Sequence, residues 1–267
     1  MDKLKHISPS QFVNWHDCPY RAIMSKTNSY VPNANAALGT LIRRFYEKYK
    51  EWHINSEDAF LRKCDEEIDA LNQANLLVEN FYPIQWHSIF YIVKRNLLKR
   101  RVLTARQIQI EASAKDSVFL YEKWISNDCI GGYADLIVKK DNIITSIVDY
   151  KTGKVYDRRT GDIKNEYKAQ LALYCSIILA TQNHVPKMLL ETIDGQYHEI
   201  KLERDVISNY AQRARELFKT INDAIEQDDT ESLAVCNEDN CRWCIFKKKC
   251  ILYSQNSKRS QDTDEER

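Results

Sequence analysis

The stretch Ile147-Val148-Asp149-Tyr150-Lys151 decides the fold that is expected of this chain. A short apolar strand here ends in a carboxylate and an ammonium, two residues apart. Because side chains i and i+2 of a β-strand point to the same face, Asp149 and Lys151 are expected to lie side by side. A second carboxylate, Asp135, stands fourteen residues earlier, at the start of the apolar run Leu136-Ile137-Val138. Two acids and a lysine at one point suit a divalent cation and a nucleophilic water beside a phosphate.

Composition limits the class of protein. The 267 residues suffice for one substantial core, with or without a small appended module. Charged residues make up 29% and the formal net charge is +1, so any nucleic-acid surface must be local. No apolar run approaches the roughly 18 residues of a membrane span, and the N-terminus lacks the apolar core of a signal peptide. We expect an intracellular protein with no membrane partner. Its eight cysteines favour metal binding over disulfides, although Cys64, Cys129 and Cys175 lie in helix or strand patterns and are expected to be buried apolar residues.

Helical and strand-like patterns divide the chain. Residues 1–104 are mostly helical, residues 105–204 carry strands that begin at 107–112, residues 205–254 hold a long helix and a cysteine cluster, and residues 255–267 are expected to be disordered. This order predicts one compact α+β (α/β) unit. It has a helical N-terminal part, a mixed central sheet flanked by helices and a C-terminal cysteine cluster.

An apolar helix after the acidic strand adds polar side chains to the site. Gln170 and Tyr174 lie four residues apart on one helix face and can hydrogen-bond a phosphate or a metal-bound water. The carbonyl of Tyr150 is a further oxygen donor for Mg²⁺, which binds few carboxylates and completes its shell with other oxygens. Lys151 can orient the attacking water and offset charge on the phosphate. Taken alone, Asp149-x-Lys151 also fits strand-end charges in solvent.

The order of these motifs resembles one nuclease family. Gly-Gly-x-x-Asp ends at Asp135, an apolar strand ends in Asp-Tyr-Lys-Thr-Gly at residues 149–153, and Gln-x-x-x-Tyr follows in an apolar helix. This resembles the PD-(D/E)xK nuclease superfamily, in particular its RecB-like branch. The resemblance implies a restriction-endonuclease-like fold, with Asp135 and Asp149 as ligands of Mg²⁺ or Mn²⁺ and Lys151 as the catalytic lysine. It also places Glu111, on the strand predicted at 107–112, near the site; a solvent-facing strand residue is the alternative.

One position departs from the family pattern. RecB-like nucleases usually carry a histidine metal ligand in an early helix, in a Gly-x-x-x-His pattern with a glutamate four residues later. Here Gly39 leads to Arg43 and then to Glu47. A cation cannot ligate a metal, so either Glu47 supplies the contact, Arg43 binds phosphate, or the site is weakened. A simple Arg43–Glu47 pair along the helix is also open.

The cysteines near the C-terminus form a metal-binding pattern. Cys241, Cys244 and Cys250 are spaced as Cys-x2-Cys-x5-Cys, and a four-thiolate site needs one more ligand, either Cys236 nearby or the distant Cys18. A subset of RecB-like nucleases, of the AddB and CRISPR-adaptation type, holds a 4Fe–4S cluster with one cysteine before the nuclease core and three after it. This resemblance implies a cluster on Cys18, Cys241, Cys244 and Cys250. A zinc site that uses Cys236 is the alternative.

Local clusters of basic and aromatic residues are candidate nucleic-acid contacts. The loop and helix after Lys151 carry Arg158, Arg159 and Lys168, which we expect to contact substrate phosphates. A basic helical segment and several aromatic residues are further candidates, although a solvated helix face and core packing explain them equally well: Lys94, Arg95, Lys99, Arg100, Arg101 and Arg106, and Trp15, Trp52, Trp86 and Tyr91.

The resemblance implies a metal-dependent deoxyribonuclease. We expect an exonuclease that acts on DNA ends or single strands in repair, recombination or DNA processing, with a helicase or recombination partner. A DNA-binding or scaffolding protein with a degenerate nuclease site is the alternative, and Arg43 favours it. A zinc-stabilised binding module is a third possibility.

Overall fold

The computed structural model describes residues 1–27, 34–49, 51–75, 88–113, 116–242, 244–250 and 252–253, with the side chains of 34–36, 75, 90, 105–113 and 238–239 left aside. The tail predicted to be disordered, residues 255–267, lies outside the described residues.

The described residues form helices, a single sheet and two short 3₁₀ turns, at Thr230–Leu233 and Lys247–Lys249. The helices and strands are α1 (Phe12–Asp17), α2 (Tyr20–Thr27), α3 (Ala34–Lys48), α4 (Glu57–Asn75), α5 (Ile89–Ser113), β1 (Ser117–Ser126), β2 (Gly131–Lys140), β3 (Ile143–Lys151), α6 (Asn165–Gln182), β4 (Lys187–Thr192), β5 (Tyr197–Ile200), α7 (Arg204–Glu226) and α8 (Glu238–Arg242).

The sheet is mixed and follows chain order, β1-β2-β3-β4-β5. All pairs are antiparallel except β3 and β4, which run parallel. Parallel neighbours need a crossover, and α6 supplies it between β3 and β4. Residues 169–178 of α6 are buried without interruption, because this helix packs against both the sheet and α7. The predicted α+β class, with a mixed sheet flanked by helices, is confirmed.

The core has separate parts on the two sides of the sheet. Helices α3, α4 and α5 share one cluster of apolar side chains, and Tyr121 and Tyr150 of the sheet pack against it. Helix α6 and the strands share another cluster, around Ile147 and Leu171. Tyr150 therefore faces the helical front, while its neighbour Asp149 points the other way, as strand alternation requires.

The strand predicted at 107–112 is wrong. These residues continue α5, a helix of 25 residues that ends at Ser113. The short alternation Gln-Ile-Gln-Ile resembles a strand, but Arg, Gln and Glu are good helix formers, and extending an existing helix requires no new nucleus. Glu111 consequently lies in the last turn of a helix, and its side chain is outside the described part of the structure.

Among the described residues, no helix has the length and apolar character that crossing a membrane requires.

Candidate active site

The end of β3 and the middle of α6 form a closed triangle of polar side chains. Asp149 is 3% exposed, and its Oδ1 accepts a hydrogen bond from Gln170 Nε2 at 2.6 Å. Lys151 Nζ lies 2.6 Å from Asp149 Oδ2 and donates to Gln170 Oε1 at 2.9 Å. Gln170 thus holds the acid and the lysine in fixed relation, and the structure brings together these three of the residues that the sequence motifs select.

Asp135 lies opposite Asp149 on the adjacent strand. The register pairs Leu136 with Val148, which sets the two aspartates across from each other. Asp135 Oδ2 accepts a hydrogen bond from the backbone N–H of Tyr150 at 2.7 Å. Burial, and next the charge of Asp149, raise the pKa of Asp135 to about 7, although the Tyr150 N–H and the nearby Arg43 oppose the rise. The carboxyl is therefore held in an environment short of positive charge.

A third acid, Glu122 of β1, joins the site and was missed in the sequence. It lies between the register pairs Tyr121–Leu136 and Lys123–Ala134, which sets it opposite Asp135. Burial raises its pKa, while Arg43 counteracts part of that rise. Its φ of +46° is left-handed, a conformation that costs a non-glycine residue on the order of 1–2 kcal/mol. Glu122 belongs to no local motif, so only knowledge of the strand register could have identified it.

Arg43 of α3 reaches this acidic cluster. Its Nε lies 2.8 Å from Glu122 Oε1 and 3.7 Å from Asp135 Oδ1. Arg43 therefore pairs across to the sheet, and the simple helical pair with Glu47 is not formed among the described residues. Glu47 is exposed, and its charge also raises the pKa of Glu122.

The acidic cluster, which comprises Glu122, Asp135 and Asp149, exceeds its two cations by one negative charge. Glu122 Oε1 and Asp149 Oδ2 are buried and make no hydrogen bond of acceptable geometry, although each has a cationic nitrogen within ion-pair distance. An oxygen-only, negatively charged set of donors suits Mg²⁺ or Mn²⁺. Among the described residues, however, no three His, Cys, Asp or Glu side chains are spaced to bind one metal ion. The type of donor atom therefore suits a metal ion. The acids, however, are positioned around the side-chain cations of Arg43 and Lys151, with which they form ion pairs.

The sequence as a whole matches a known family. The model of the PD-(D/E)XK nuclease superfamily matches residues 6–251. The chain belongs to the PD-(D/E)XK nuclease superfamily. This confirms the superfamily predicted from the motifs and, with the mixed sheet, the restriction-endonuclease-like fold class. Membership implies phosphodiester hydrolysis as the class of chemistry, while the RecB-like branch stays a prediction.

Two individual proteins resemble this nuclease-family chain. An ATP-dependent helicase/nuclease subunit from Clostridioides difficile (strain 630) is 32% identical over 111 residues, which are 38% of this chain and 8% of that protein. The chain thus spans under a tenth of the curated relative it matches. A candidate exonuclease of known crystal structure from Eubacterium rectale is 12% identical; the match covers 90% of this chain and 86% of that one, with a TM-score of 0.47.

Tyr174 links α6 to β2 beside the acids of the candidate site. Its hydroxyl donates to the carbonyl of Tyr133 at 2.6 Å. This close approach depends on Gly132, because a Cβ there would lie 2.9 Å from Pro9 Cδ and 3.1 Å from the Tyr174 hydroxyl. The Tyr174 hydroxyl is therefore already bonded, and its predicted contact with phosphate remains a prediction.

The predicted phosphate contacts after Lys151 are only partly assembled. Lys168 Nζ pairs with Asp162 Oδ2 at 2.5 Å, and Arg159 is 92% exposed, 4.0 Å from Asp157. Arg158 lines an open groove of about 770 Å³ that also includes Lys151. Lys94 and Lys154 contribute further positive charge to this groove, and Asp157 and Asp194 contribute negative charge. The groove leads along the surface directly to the catalytic lysine candidate.

The basic segment of α5 does not form one phosphate-binding face. Arg101 is buried in an ion pair with Glu191, and Lys99 pairs with Glu57. Of the aromatic candidates, Tyr91 is buried in the helical core, Trp15 and Trp52 are half-buried against core clusters, and Trp86 lies outside the described residues.

Five cysteines line one small cavity of about 20 Å³: Cys18, Cys236, Cys241, Cys244 and Cys250. Cys18 Sγ accepts the backbone N–H of Val235 at 3.4 Å, and the sulfurs of Cys236 and Cys241 lie 3.4 Å apart. Burial, then the neighbouring Cys236, raises the pKa of the Cys241 thiol to about 11. Both candidates for the fourth ligand, Cys18 and Cys236, therefore reach the Cys241–Cys250 segment. The remaining cysteines, Cys64, Cys129 and Cys175, are buried elsewhere.

Proposed function

We propose that this chain is a metal-dependent deoxyribonuclease whose site is built on Asp135, Asp149 and Lys151. The observation that carries the proposal is the triangle in which Gln170 bridges Asp149 and Lys151, directly opposite Asp135. A purely structural cluster would balance its buried charges, because an uncompensated buried charge is costly. We infer that the surplus acid, which keeps a proton on Asp135 below about pH 7, is balanced by a cation when the metal is bound.

Each residue has a defined task in this proposal. Asp135 and Asp149 would hold Mg²⁺ or Mn²⁺, with the carbonyl of Tyr150 and the carboxylate of Glu47 as additional oxygens. The bound cation would supply Lewis-acid polarisation of the phosphate and a more acidic water. Lys151 offsets the negative charge that develops on the phosphate. Gln170 keeps the Lys151 ammonium directed at that point.

Glu122, rather than Glu111, is the glutamate that supports the acidic site in this proposal. It lies opposite Asp135 and pairs with Arg43. Arg43 stands where the family usually has a metal-binding histidine, and we infer that it releases Glu122 or contacts a phosphate when substrate binds. The groove beside Lys151 would carry the strand, with Arg158, Arg159 and Lys168 at its margin.

We propose DNA ends or single strands as the substrate and exonucleolytic cleavage as the activity. The support is the RecB-like order of motifs and the open groove that reaches Lys151. A helicase partner is proposed because the relative that matches 38% of this chain is named a helicase/nuclease subunit.

Incubation of end-labelled single-stranded and double-stranded DNA with Mn²⁺ tests the nuclease. We expect the wild-type protein to release labelled product, and Asp149→Ala or Lys151→Ala to lower the rate by at least about 100-fold. Glu199→Ala and Lys187→Ala are matched controls, because both residues are exposed on neighbouring strands away from the acidic cluster. Equal rates in wild type, Asp149→Ala and Lys151→Ala would refute the assignment.

A binding or scaffolding protein with a degenerate site is the second candidate. The Arg43–Glu122 ion pair favours it, because it places a cation where a metal ligand is expected. DNA binding without cleavage under Mg²⁺ and under Mn²⁺, unchanged by Asp149→Ala, would establish this candidate.

We also propose a 4Fe–4S cluster on Cys18, Cys241, Cys244 and Cys250. The five-cysteine cavity supports it, since the structure brings Cys18 to the C-terminal thiols over more than 200 residues of chain. Such a cluster would tie the N-terminal helices to the C-terminus and would act structurally. Cys236 is the alternative ligand, in a zinc site.

Metal analysis of the protein purified without oxygen separates the two cysteine sites. We expect a brown protein that contains iron and sulfide, and a loss of colour and of thermal stability in Cys18→Ala. Cys236→Ala should keep the iron. A colourless protein with one zinc per chain, lost in Cys236→Ala and retained in Cys18→Ala, would overturn the cluster.

A further inference from the structure

Two large aromatic side chains lie exposed beside the acids, and neither belongs to the sequence motifs. Trp124 of β1 is 42% exposed and Tyr133 of β2 is 59% exposed. They are direct partners in the β1–β2 register, with ring centroids 5.0 Å apart at an interplanar angle of 67°. Together they form an aromatic pair on the open part of the sheet.

The aromatic pair lies next to two acids of the acidic cluster, Glu122 on β1 and Asp135 on β2. Trp124 follows Glu122 by two residues, and Tyr133 precedes Asp135 by two, so both aromatic residues lie within two strand positions of an acid. The register is the same on both sides of Glu122 despite its left-handed backbone. Two residues of strand span about 7 Å, so the rings lie roughly one nucleotide from the acids.

The surrounding residues hold the aromatic pair in place. A Cβ at Gly131 would lie 2.8 Å from the indole of Trp124, so this glycine leaves room for the ring. The indole also contacts the ring of His6 edge-on and donates to Ser126 Oγ at 3.2 Å. Behind Tyr133, its carbonyl accepts the Tyr174 hydroxyl. The rings are therefore positioned in advance, which lowers the entropy cost of binding a ligand.

We propose that Trp124 and Tyr133 form a stacking surface for an unpaired base of the strand whose phosphate lies at Asp135 and Asp149. This proposal rests on the proposed nuclease function and specifies its substrate. The bases of an intact duplex are stacked on each other and present no free face, whereas an unpaired base stacks on aromatic side chains regardless of sequence. The aromatic pair would therefore select single strands or frayed ends over closed duplex.

Equilibrium binding in a full-length Asp149→Asn background isolates stacking from cleavage. The probe is a fluorescent oligodeoxythymidine, compared with a strand of equal length built from abasic nucleotides and with a blunt duplex. We expect Tyr133→Ala to weaken binding of the oligodeoxythymidine roughly tenfold, and to change binding of the abasic strand and of the duplex less than twofold. Tyr133→Phe should bind like its parent, because the ring is kept.

Val118→Ala is the matched control for Tyr133→Ala. Val118 is 52% exposed on the same strand pair, about 20 Å from Trp124 along β1. A second readout, indole fluorescence, should show quenching by oligodeoxythymidine that is reduced in Trp124→Phe. This measurement does not depend on any variant of Tyr133, so a folding defect in Tyr133→Ala leaves the proposal testable.

The outcomes separate this proposal from the nuclease proposal. Cleavage of DNA together with equal oligodeoxythymidine binding in Tyr133→Ala and its parent overturns the stacking surface alone. An equal loss for the base-bearing and abasic strands also overturns it, because the aromatic pair would then not act through the bases. If wild type does not cleave DNA and the Asp149→Asn protein does not bind oligodeoxythymidine, both proposals are overturned.

Discussion

Two clusters of buried charge lie on opposite faces of adjacent strands, and they are built differently. In one, Glu191 of β4 pairs with Arg101 of α5, and the Arg101 guanidinium also donates to the hydroxyl of Tyr197. The other is the acidic cluster. The two clusters come close together at consecutive residues of β3. Tyr150 is the register partner of Glu191, whereas the preceding residue, Asp149, faces α6.

The difference lies in the balance of charge. Arg101 and Glu191 cancel each other and are 8% and 2% exposed, which is the pattern of an ion pair that joins a helix to a sheet. The acidic cluster has three carboxylates for Arg43 and Lys151, and burial, followed by the charge of neighbouring acids, raises the pKa values of Asp135 and Glu122. Burial of charge is therefore common to both clusters, and the unbalanced charge is what distinguishes the candidate site from the structural ion pair.

The largest expected effect is on the balanced pair. Glu191→Gln leaves the Arg101 guanidinium buried without its counter-charge and should lower the free energy of unfolding by about 3–5 kcal/mol. Chemical denaturation followed by circular dichroism measures this. The double variant Arg101→Met/Glu191→Leu is the control and should recover most of the loss, because both charges are removed together. A loss below about 1 kcal/mol in Glu191→Gln would show that the pair is not structural.

Replacement of a carboxylate by an amide should have the opposite effect on the free energy of unfolding when it is made in the acidic cluster. In EDTA, Asp149→Asn removes one of three crowded carboxylates and leaves two acids for two cations. We expect its free energy of unfolding to equal or exceed that of wild type by roughly 1 kcal/mol. Denaturation under the conditions used for Glu191→Gln gives the comparison. A destabilisation as large as that of Glu191→Gln would make Asp149 a structural ion-pair residue.

The surplus acid should also appear in the pH dependence of stability. The pKa of Asp135 is raised from its ordinary value of 3.8 to about 7, first by burial and then by Asp149. Between these values the folded protein holds a proton that the unfolded chain has lost, so in EDTA the free energy of unfolding falls as pH rises from about 4 to 7. Glu122, Arg43 and Asp149 face the same carboxyl: Asp149 and Glu122 add to the rise in its pKa, and Arg43 opposes it.

Thermal denaturation across this pH range measures the effect. Asp135→Asn should flatten the curve, and saturating Mn²⁺ should do the same, since a bound cation favours the deprotonated carboxyl. A wild-type stability that instead rises from pH 4 to 7, with Asp135→Asn parallel to it, would contradict the raised pKa.

The smallest expected effect concerns Arg43. Arg43→Gln removes the cation that lies 2.8 Å from Glu122 and increases the surplus from one negative charge to two. Binding of Mn²⁺, measured by calorimetry without DNA, should tighten by a few-fold, because the ion enters a more negative cluster. Arg44→Gln is the matched control, since Arg44 pairs with Glu67 instead. Weaker binding of Mn²⁺ in Arg43→Gln would show that Arg43 supports the metal site.

Short-range patterns predicted the centre of the candidate site well. Asp149 and Lys151 share a strand face, and Gln170 reaches both, because strand spacing and the apolar character of α6 are properties of short segments. The strand predicted at 107–112 was also inferred from a short segment, and that prediction is wrong. Six alternating residues are too few to compete with the cooperative extension of a long helix.

Other parts of the site depend on contacts between distant segments. Glu122 is a single acid among polar and aromatic strand residues, and only the β1–β2 register sets it opposite Asp135. Arg101 was grouped with a basic helix face, yet its partner Glu191 lies 90 residues away. Trp124 and Tyr133 carry no motif, and the structure alone shows that they are exposed together.

The sequence by itself determined the superfamily, the mixed α+β class and the grouping of Asp135, Asp149, Lys151 and Gln170 at the candidate site, because these follow from local periodicity and the order of motifs. Only the tertiary structure decided the charge balance. It sets which acids lie together, pairs Arg43 with them, and pairs Arg101 with Glu191 instead. The physical reason is that electrostatic interaction depends on distance and burial. Strand register and helix packing set the distance and the burial of charged groups that are far apart in the sequence.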